Sequence, residues 1–125
     1  FDNKDYNKTI FLVDDFIKKY PNKKLKVIDY KIYSYIKMKN YQDALKVAKS
    51  ILKVERDLKV YKIVAYIYIE MKKYEQSIKY LKSAYAISHS PEVLAQMGDI
   101  FFKYLKNPNE AISYYQTHIR LYGCE

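Results

Sequence analysis

The chain has 125 residues, half of them hydrophobic and 30% charged, which suits one folded domain and excludes a disordered one. Two glycines and three prolines leave too little turn material for a β-sandwich or barrel, so helices are expected. The net charge is +9, but only Arg56 and Arg120 are arginines. Arg is the residue that reads bases and phosphates bidentately. The Lys, Ile, Tyr and Asn content is therefore read as AT-rich codon drift rather than as a nucleic-acid footprint.

Seven helices are predicted in chain order, over 5–20, 24–38, 41–54, 58–71, 74–88, 91–105 and 108–122. In the first, Tyr6, Ile10, Val13, Phe16 and Ile17 step by three and four onto one face. It ends at Tyr20, which Pro21 biases away from helical angles. Leu25, Ile28, Ile32, Tyr35 and Ile36 mark the second, and Tyr41, Ala44, Leu45, Ala48, Ile51 and Leu52 the third. The fourth is ambiguous, because Val60 to Ile69 is rich in β-branched residues and Tyr and reads locally as a strand. Tyr74, Ile78, Leu81, Ala84 and Tyr85 mark the fifth. Ser90-Pro91-Glu92 supplies a capping hydroxyl, a first-turn Pro and an early acid for the sixth, which carries Leu94, Met97, Gly98, Phe101 and Phe102. Lys39-Asn40, Lys72-Lys73 and Asn107-Pro108-Asn109 are the short turns inside hairpins.

An internal repeat decides the fourth segment. Displaced by 33 residues, Met38-Lys39-Asn40-Tyr41-Gln42-Asp43-Ala44-Leu45 falls on Met71-Lys72-Lys73-Tyr74-Glu75-Gln76-Ser77-Ile78. Ile32 falls on Ala65 and then on Gly98, and the series continues through Asn107 to Ile112 with one inserted residue. Asp5 to Ile10 opens a copy that lacks its first half. Equivalents of Val60–Ile69 in the other copies contain Lys31, Met97 and Gly98, so the segment is helical and local propensity yields.

These residues resemble the tetratricopeptide repeat, a helix-turn-helix unit of about 34 residues. Ala65 and Gly98 match its small site, Tyr6, Tyr41 and Tyr74 its aromatic site, Ala44 and Ala111 its Ala site, Ala84 its later small site, and Pro21 its terminal Pro. Ile32 is large at the small site, which implies looser packing there, and Thr9 and Ser77 replace Ala. The inserted residue near Pro108 resembles the related Sel1-like repeats, without their Gly-rich turn. The resemblance implies an all-α, right-handed superhelical stack of antiparallel hairpins in a single domain over 1–125, with a half-repeat at 1–23 and repeats at 25–57, 58–90 and 91–124.

It further implies a concave groove lined by the first helix of each unit. Its positions are Lys26, Asp29, Tyr33, Ile36 and Lys37, then Lys59, Lys62, Tyr66, Ile69 and Glu70, then Glu92, Ala95, Asp99, Phe102 and Lys103. The expected partner is another protein, a peptide or helix of acidic character with apolar anchors. Tyr33, Tyr66 and Asp99 stand where chaperone-binding members carry the Asn of a carboxylate clamp, so that clamp is not carried over. A nucleic-acid-binding helical repeat and a regulatory segment of a larger enzyme are the alternatives. The exposed half-repeat, with Phe11, Leu12 and Ile17 uncovered, is expected to favour self-association. Asp5 to Asn22 also resembles repeats of bacterial cell-envelope assembly proteins.

No enzyme, cofactor or metal is expected. His89 and His118 lie apart without a carboxylate or Cys at ligand spacing. Asp14 and Asp15 are adjacent and diverge on a helix, and two glycines cannot build a phosphate loop. His118 is expected as a partly buried packing residue. Cys124 has no internal partner, and a start at Phe1 reads as a piece of a longer protein. No apolar stretch reaches membrane-spanning length.

Overall fold

A computed structural model describes residues 3–123. Its elements are α1 (Asn3–Lys19), a 3-10 turn (Pro21–Lys23), α2 (Lys24–Lys37), α3 (Tyr41–Leu52), α4 (Leu58–Glu70), α5 (Tyr74–Ser88), α6 (Pro91–Lys103) and α7 (Pro108–Tyr122). Among the described residues there is no strand, and all seven predicted helices form with bounds shifted by at most two residues. The strand-like segment is α4. Its β-branched Val60, Val64 and Ile67 are buried with Ala65 and Tyr68, and Asp57 Oδ1 caps its start by accepting from the Val60 N–H at 3.2 Å.

The turns inside the first two complete hairpins are copies of one another. Asn40 N donates to Tyr35 O and Lys39 N to Ile36 O, and Lys73 N and Lys72 N repeat this onto Tyr68 O and Ile69 O. These are Schellman ends, with Lys39 (φ 60°) and Lys72 (φ 62°) in the left-handed position that glycine usually fills. The third turn absorbs the inserted residue by widening: Leu105 N reaches Ile100 O, Asn107 N reaches Phe101 O, and Lys106 takes φ 52°. Asn107 Oδ1 then caps α7 by accepting from Glu110 N at 3.2 Å. The expected Ser90 cap is not made. Ser90 donates its backbone N–H to Ser88 Oγ, and only its carbonyl, accepting from Val93 N, starts α6.

The chain divides into two compact units, Phe1–Val54 with α1 to α3 and Glu55–Glu125 with α4 to α7. In the first unit the buried apolar side chains are Val13, Ile28, Ile32, Ala44, Leu45, Ala48 and Ile51. Lys31 Nζ bridges to Asp14 Oδ1 at 2.8 Å between α1 and α2. Ser34, also buried, donates back to Tyr30 O in its own helix. With Ile32 at the small site, α2 and α3 approach each other less extensively than α4 and α5 do.

In the second unit Ala65, Ile78, Leu81, Val93, Leu94, Met97 and Ile100 form one cluster, flanked by Ile69, Tyr74, Tyr80, Phe101 and Tyr114. The small sites act as expected. Ala65 is buried, and its carbonyl accepts from buried Ser77 Oγ at 2.9 Å, which explains a Ser where the repeat favours Ala. At Gly98 a Cβ would lie 2.6 Å from Tyr115 Cε1, so any larger residue would have to displace that ring. At the far end of α7 Tyr122 donates its hydroxyl to His89 O at 2.6 Å, leaving Tyr85 as donor in the 2.7 Å Tyr85–Tyr122 contact. His118 is half-buried, its ring edge-on to Tyr122. Cys124 lies outside the described residues.

Candidate partner-binding site

Helical phase decides which side chains the first helices offer. In the first unit α2 presents Lys26, Tyr33 and Lys37 to solvent, while Asp29 and Ile36 are half-buried. Lys37 Nζ lies 5.0 Å from the Tyr33 ring centroid, a cation–π arrangement that holds the ammonium over the ring face. Both residues line a cleft of about 370 Å³ with Tyr6, Thr9, Tyr30 and Ser34. A second hollow of about 200 Å³ shares Thr9 and Tyr30 with it and adds Leu12, Val13, Phe16 and Val27. Tyr30 and the α1 residues were not among the expected site positions. The signal for Tyr30 was available, since Lys26, Tyr30, Tyr33 and Lys37 follow at spacings of four, three and four along one stripe.

In the second unit α4 presents Lys59, Lys62, Tyr66 and Glu70 to solvent, while Ile69 packs on the core cluster. On α6, Glu92, Asp99, Phe102 and Lys103 are exposed and Ala95 is half-buried. Asp99 Oδ1 accepts the Tyr115 hydroxyl at 2.5 Å. That hydrogen bond, with some burial, holds the phenol above its ordinary pKa and ties the carboxylate to α7. A cleft of about 300 Å³ is lined by Glu75, Ile78, Phe101, Leu105 and Asn107, beside Tyr74 and Tyr104, whose rings stack 4.3 Å apart.

The two units differ in charge. Residues 1–54 hold thirteen lysines against six aspartates and no Glu or Arg, so they carry +7 of the +9 total. Among the described residues no three His, Cys, Asp or Glu side chains group as metal ligands, and no helix is long and apolar enough to cross a membrane.

Antiparallel hairpins at a 33-residue spacing, with small residues at the hairpin contacts, define a tetratricopeptide-type repeat protein, a fold that serves as a protein-interaction scaffold. The chain belongs to the family described as anaphase-promoting complex, cyclosome, subunit 3, whose model matches residues 2–84. Among solved structures it is similar to MamA (residues 41 to the end) from Desulfovibrio magneticus RS-1, with a TM-score of 0.73 and 18% identity over 94% of this chain and 67% of that one. Another MamA crystal structure gives a TM-score of 0.74 and 16% identity over 95% of this chain and 70% of that one. MamA of AMB-1 gives 0.70 and 13% over 90% and 61%. At these identities the likeness shows the fold. No curated protein sequence matches the chain significantly.

Proposed function

We propose that the chain binds a peptide or helix of another protein through the exposed faces of its first helices, α2, α4 and α6, within a larger assembly, and that it catalyses no reaction. The observation that carries this reading is the exposure of large aromatic side chains there: Tyr33 at 57%, Tyr66 at 49% and Phe102 at 58%. Tyr33 and Tyr66 are one repeat apart, and Phe102 lies one turn beyond the third equivalent, Asp99. Recurring exposed aromatics rimmed by lysines suit apolar anchors with acidic neighbours, since aromatic residues dominate binding hot spots and rim charges steer encounter. The family description names a subunit of a multi-protein complex, which supports a place in an assembly.

The test is affinity capture with the intact chain and with a Tyr66→Ala/Phe102→Ala variant. Both positions are solvent-facing, so the variant should keep its helicity and melting temperature. Loss of a specific captured partner is the expected result; capture unchanged by the double substitution would remove the proposed face.

A further inference from the structure

Codon drift sets how many lysines the chain has, but not where they stand. The corner that joins α1 to α2, residues 18–26, reads Lys-Lys-Tyr-Pro-Asn-Lys-Lys-Leu-Lys, five lysines and no acid. Displaced by 33 residues, the α3–α4 connection (51–59) holds three basic residues against two acids. The α5–α6 connection (84–92) holds one acid and no Lys or Arg. Drift acts on all three alike, so it does not account for the concentration at the first. Every residue from Lys18 to Lys26 is exposed, Tyr20 at 48% and Leu25 at 50%.

The carboxylates near this corner do not cancel it. Asp15 pairs with Lys19 at 3.4 Å along α1, Asp14 is held by Lys31 at 2.8 Å, and Asp29 is half-buried further into α2. Its form also selects among polyanions. None of the three clefts described above takes a lining residue from 18–26, so they offer the corner no groove for a strand or an extended peptide. The Tyr20 ring has Phe16 at 5.0 Å between centroids and Lys23 Nζ at 5.7 Å from its own, which crowds the ring against base stacking. No arginine stands there to fork onto a phosphate. What the corner offers is diffuse ammonium charge around one aromatic and one aliphatic side chain. That combination suits a charged bilayer surface, where lysines attract anionic headgroups and Tyr and Leu enter the boundary beneath them.

We propose that the α1–α2 corner, Lys18 to Lys26, is a contact site for an anionic lipid surface, on which the chain rests peripherally. The five lysines lie among the headgroup phosphates, and Tyr20 and Leu25 sit at the interface. Each lysine near such a surface strengthens binding about fivefold, so the attachment is reversible and sensitive to salt. The inference goes beyond the protein-binding reading and does not rest on it, since the corner contains none of Tyr33, Tyr66 and Phe102.

The test is co-sedimentation of the intact chain with phosphatidylcholine vesicles containing about 30% phosphatidylglycerol, against vesicles of phosphatidylcholine alone. Binding to the anionic vesicles should be at least about tenfold tighter, and should fade as salt rises from about 50 to about 500 mM. Lys18→Ala/Lys23→Ala/Lys24→Ala should weaken it at least about tenfold, and Leu25→Ser about threefold. Lys62→Ala/Lys79→Ala/Lys82→Ala removes the same charge from the second unit and should weaken it less than about threefold. All these positions are exposed, so the variants should keep wild-type helicity and melting temperature. Equal binding to the two kinds of vesicle, equal loss in the two triple variants, or affinity unchanged by Leu25→Ser would overturn the proposal. So would a single-stranded oligonucleotide or poly-glutamate that binds more tightly than the anionic vesicles and loses that affinity in Lys18→Ala/Lys23→Ala/Lys24→Ala. The corner would then be a nucleic-acid or a protein site.

Discussion

The contact of α1 with α2 and that of α5 with α6 occupy the same place in the repeat and are built from different materials. In the second unit Met97 and Ile100 of α6 are buried in one apolar cluster with Leu81 and Ile78 of α5. In the first unit Lys31 and Ser34 stand at the positions of Met97 and Ile100, and an ion pair and a hydroxyl replace two apolar side chains. Helical periodicity sets where a residue points, whereas chemical type decides whether the contact closes or stays available. A half-exposed ion pair contributes at most about 1 kcal/mol, whereas each buried aliphatic side chain contributes roughly 1.5–3 kcal/mol. The α1–α2 contact is accordingly the more polar of the two.

The widest gap between the two contacts is expected on truncating leucines. Leu81→Ala should cost roughly 2–5 kcal/mol, while Leu12→Ala on the open side should cost less than about 0.5 kcal/mol. Urea melts of both variants measure this, and similar losses would erase the distinction. Gly98→Leu should lower stability by roughly 1–3 kcal/mol, because the added atoms meet a Tyr115 ring fixed by Asp99. A thermal melt indistinguishable from wild type would deny the close approach. Lys72→Gly should raise stability by about 1 kcal/mol by relieving a left-handed residue, and Lys39→Gly should do the same in the other unit. Lys31→Met, which installs the second unit's residue, should change stability by about 1 kcal/mol or less. It should also flatten the salt dependence of the melting temperature.

The smallest effect is alkaline. Tyr115 has its phenol raised by the Asp99 hydrogen bond, so the neutral form is favoured in the folded chain. Its contribution is present below the unfolded value near 10.0 and is lost as pH rises through the higher folded value. Tyr115→Phe should show a shallower fall in melting temperature above pH 10 than wild type, and equal slopes would argue against the bond.

Much of this was legible because the repeat speaks twice for each element. Val60 to Ile69 taken alone favours a strand, and only its equivalents at Lys31, Met97 and Gly98 make it α4. Other features escaped because they depend on geometry that residue type does not encode. Ser90 has the right chemistry for a cap, but its hydroxyl makes no cap hydrogen bond, and its backbone N–H donates to Ser88 Oγ. Nothing in Lys39, Lys72 or Lys106 announces a left-handed residue, since Gly or Asn is the usual sign. The exposed Tyr33, Tyr66 and Phe102 were readable from periodicity, but the hollows beside Tyr30 were not, because they depend on Tyr6, Thr9 and Phe16 being brought alongside from another helix.

The widened end of α6 has an engineering consequence. One residue added inside a helix rotates everything after it by about 100°, which would turn a packed face towards water. Here the extra residue is taken up by the Leu105–Ile100 and Asn107–Phe101 bonds, so the phase of α6 and the Asn107 start of α7 are both kept. A short epitope or fluorophore-bearing loop placed between Leu105 and Lys106 therefore gives a handle for labelling that leaves every helix in register.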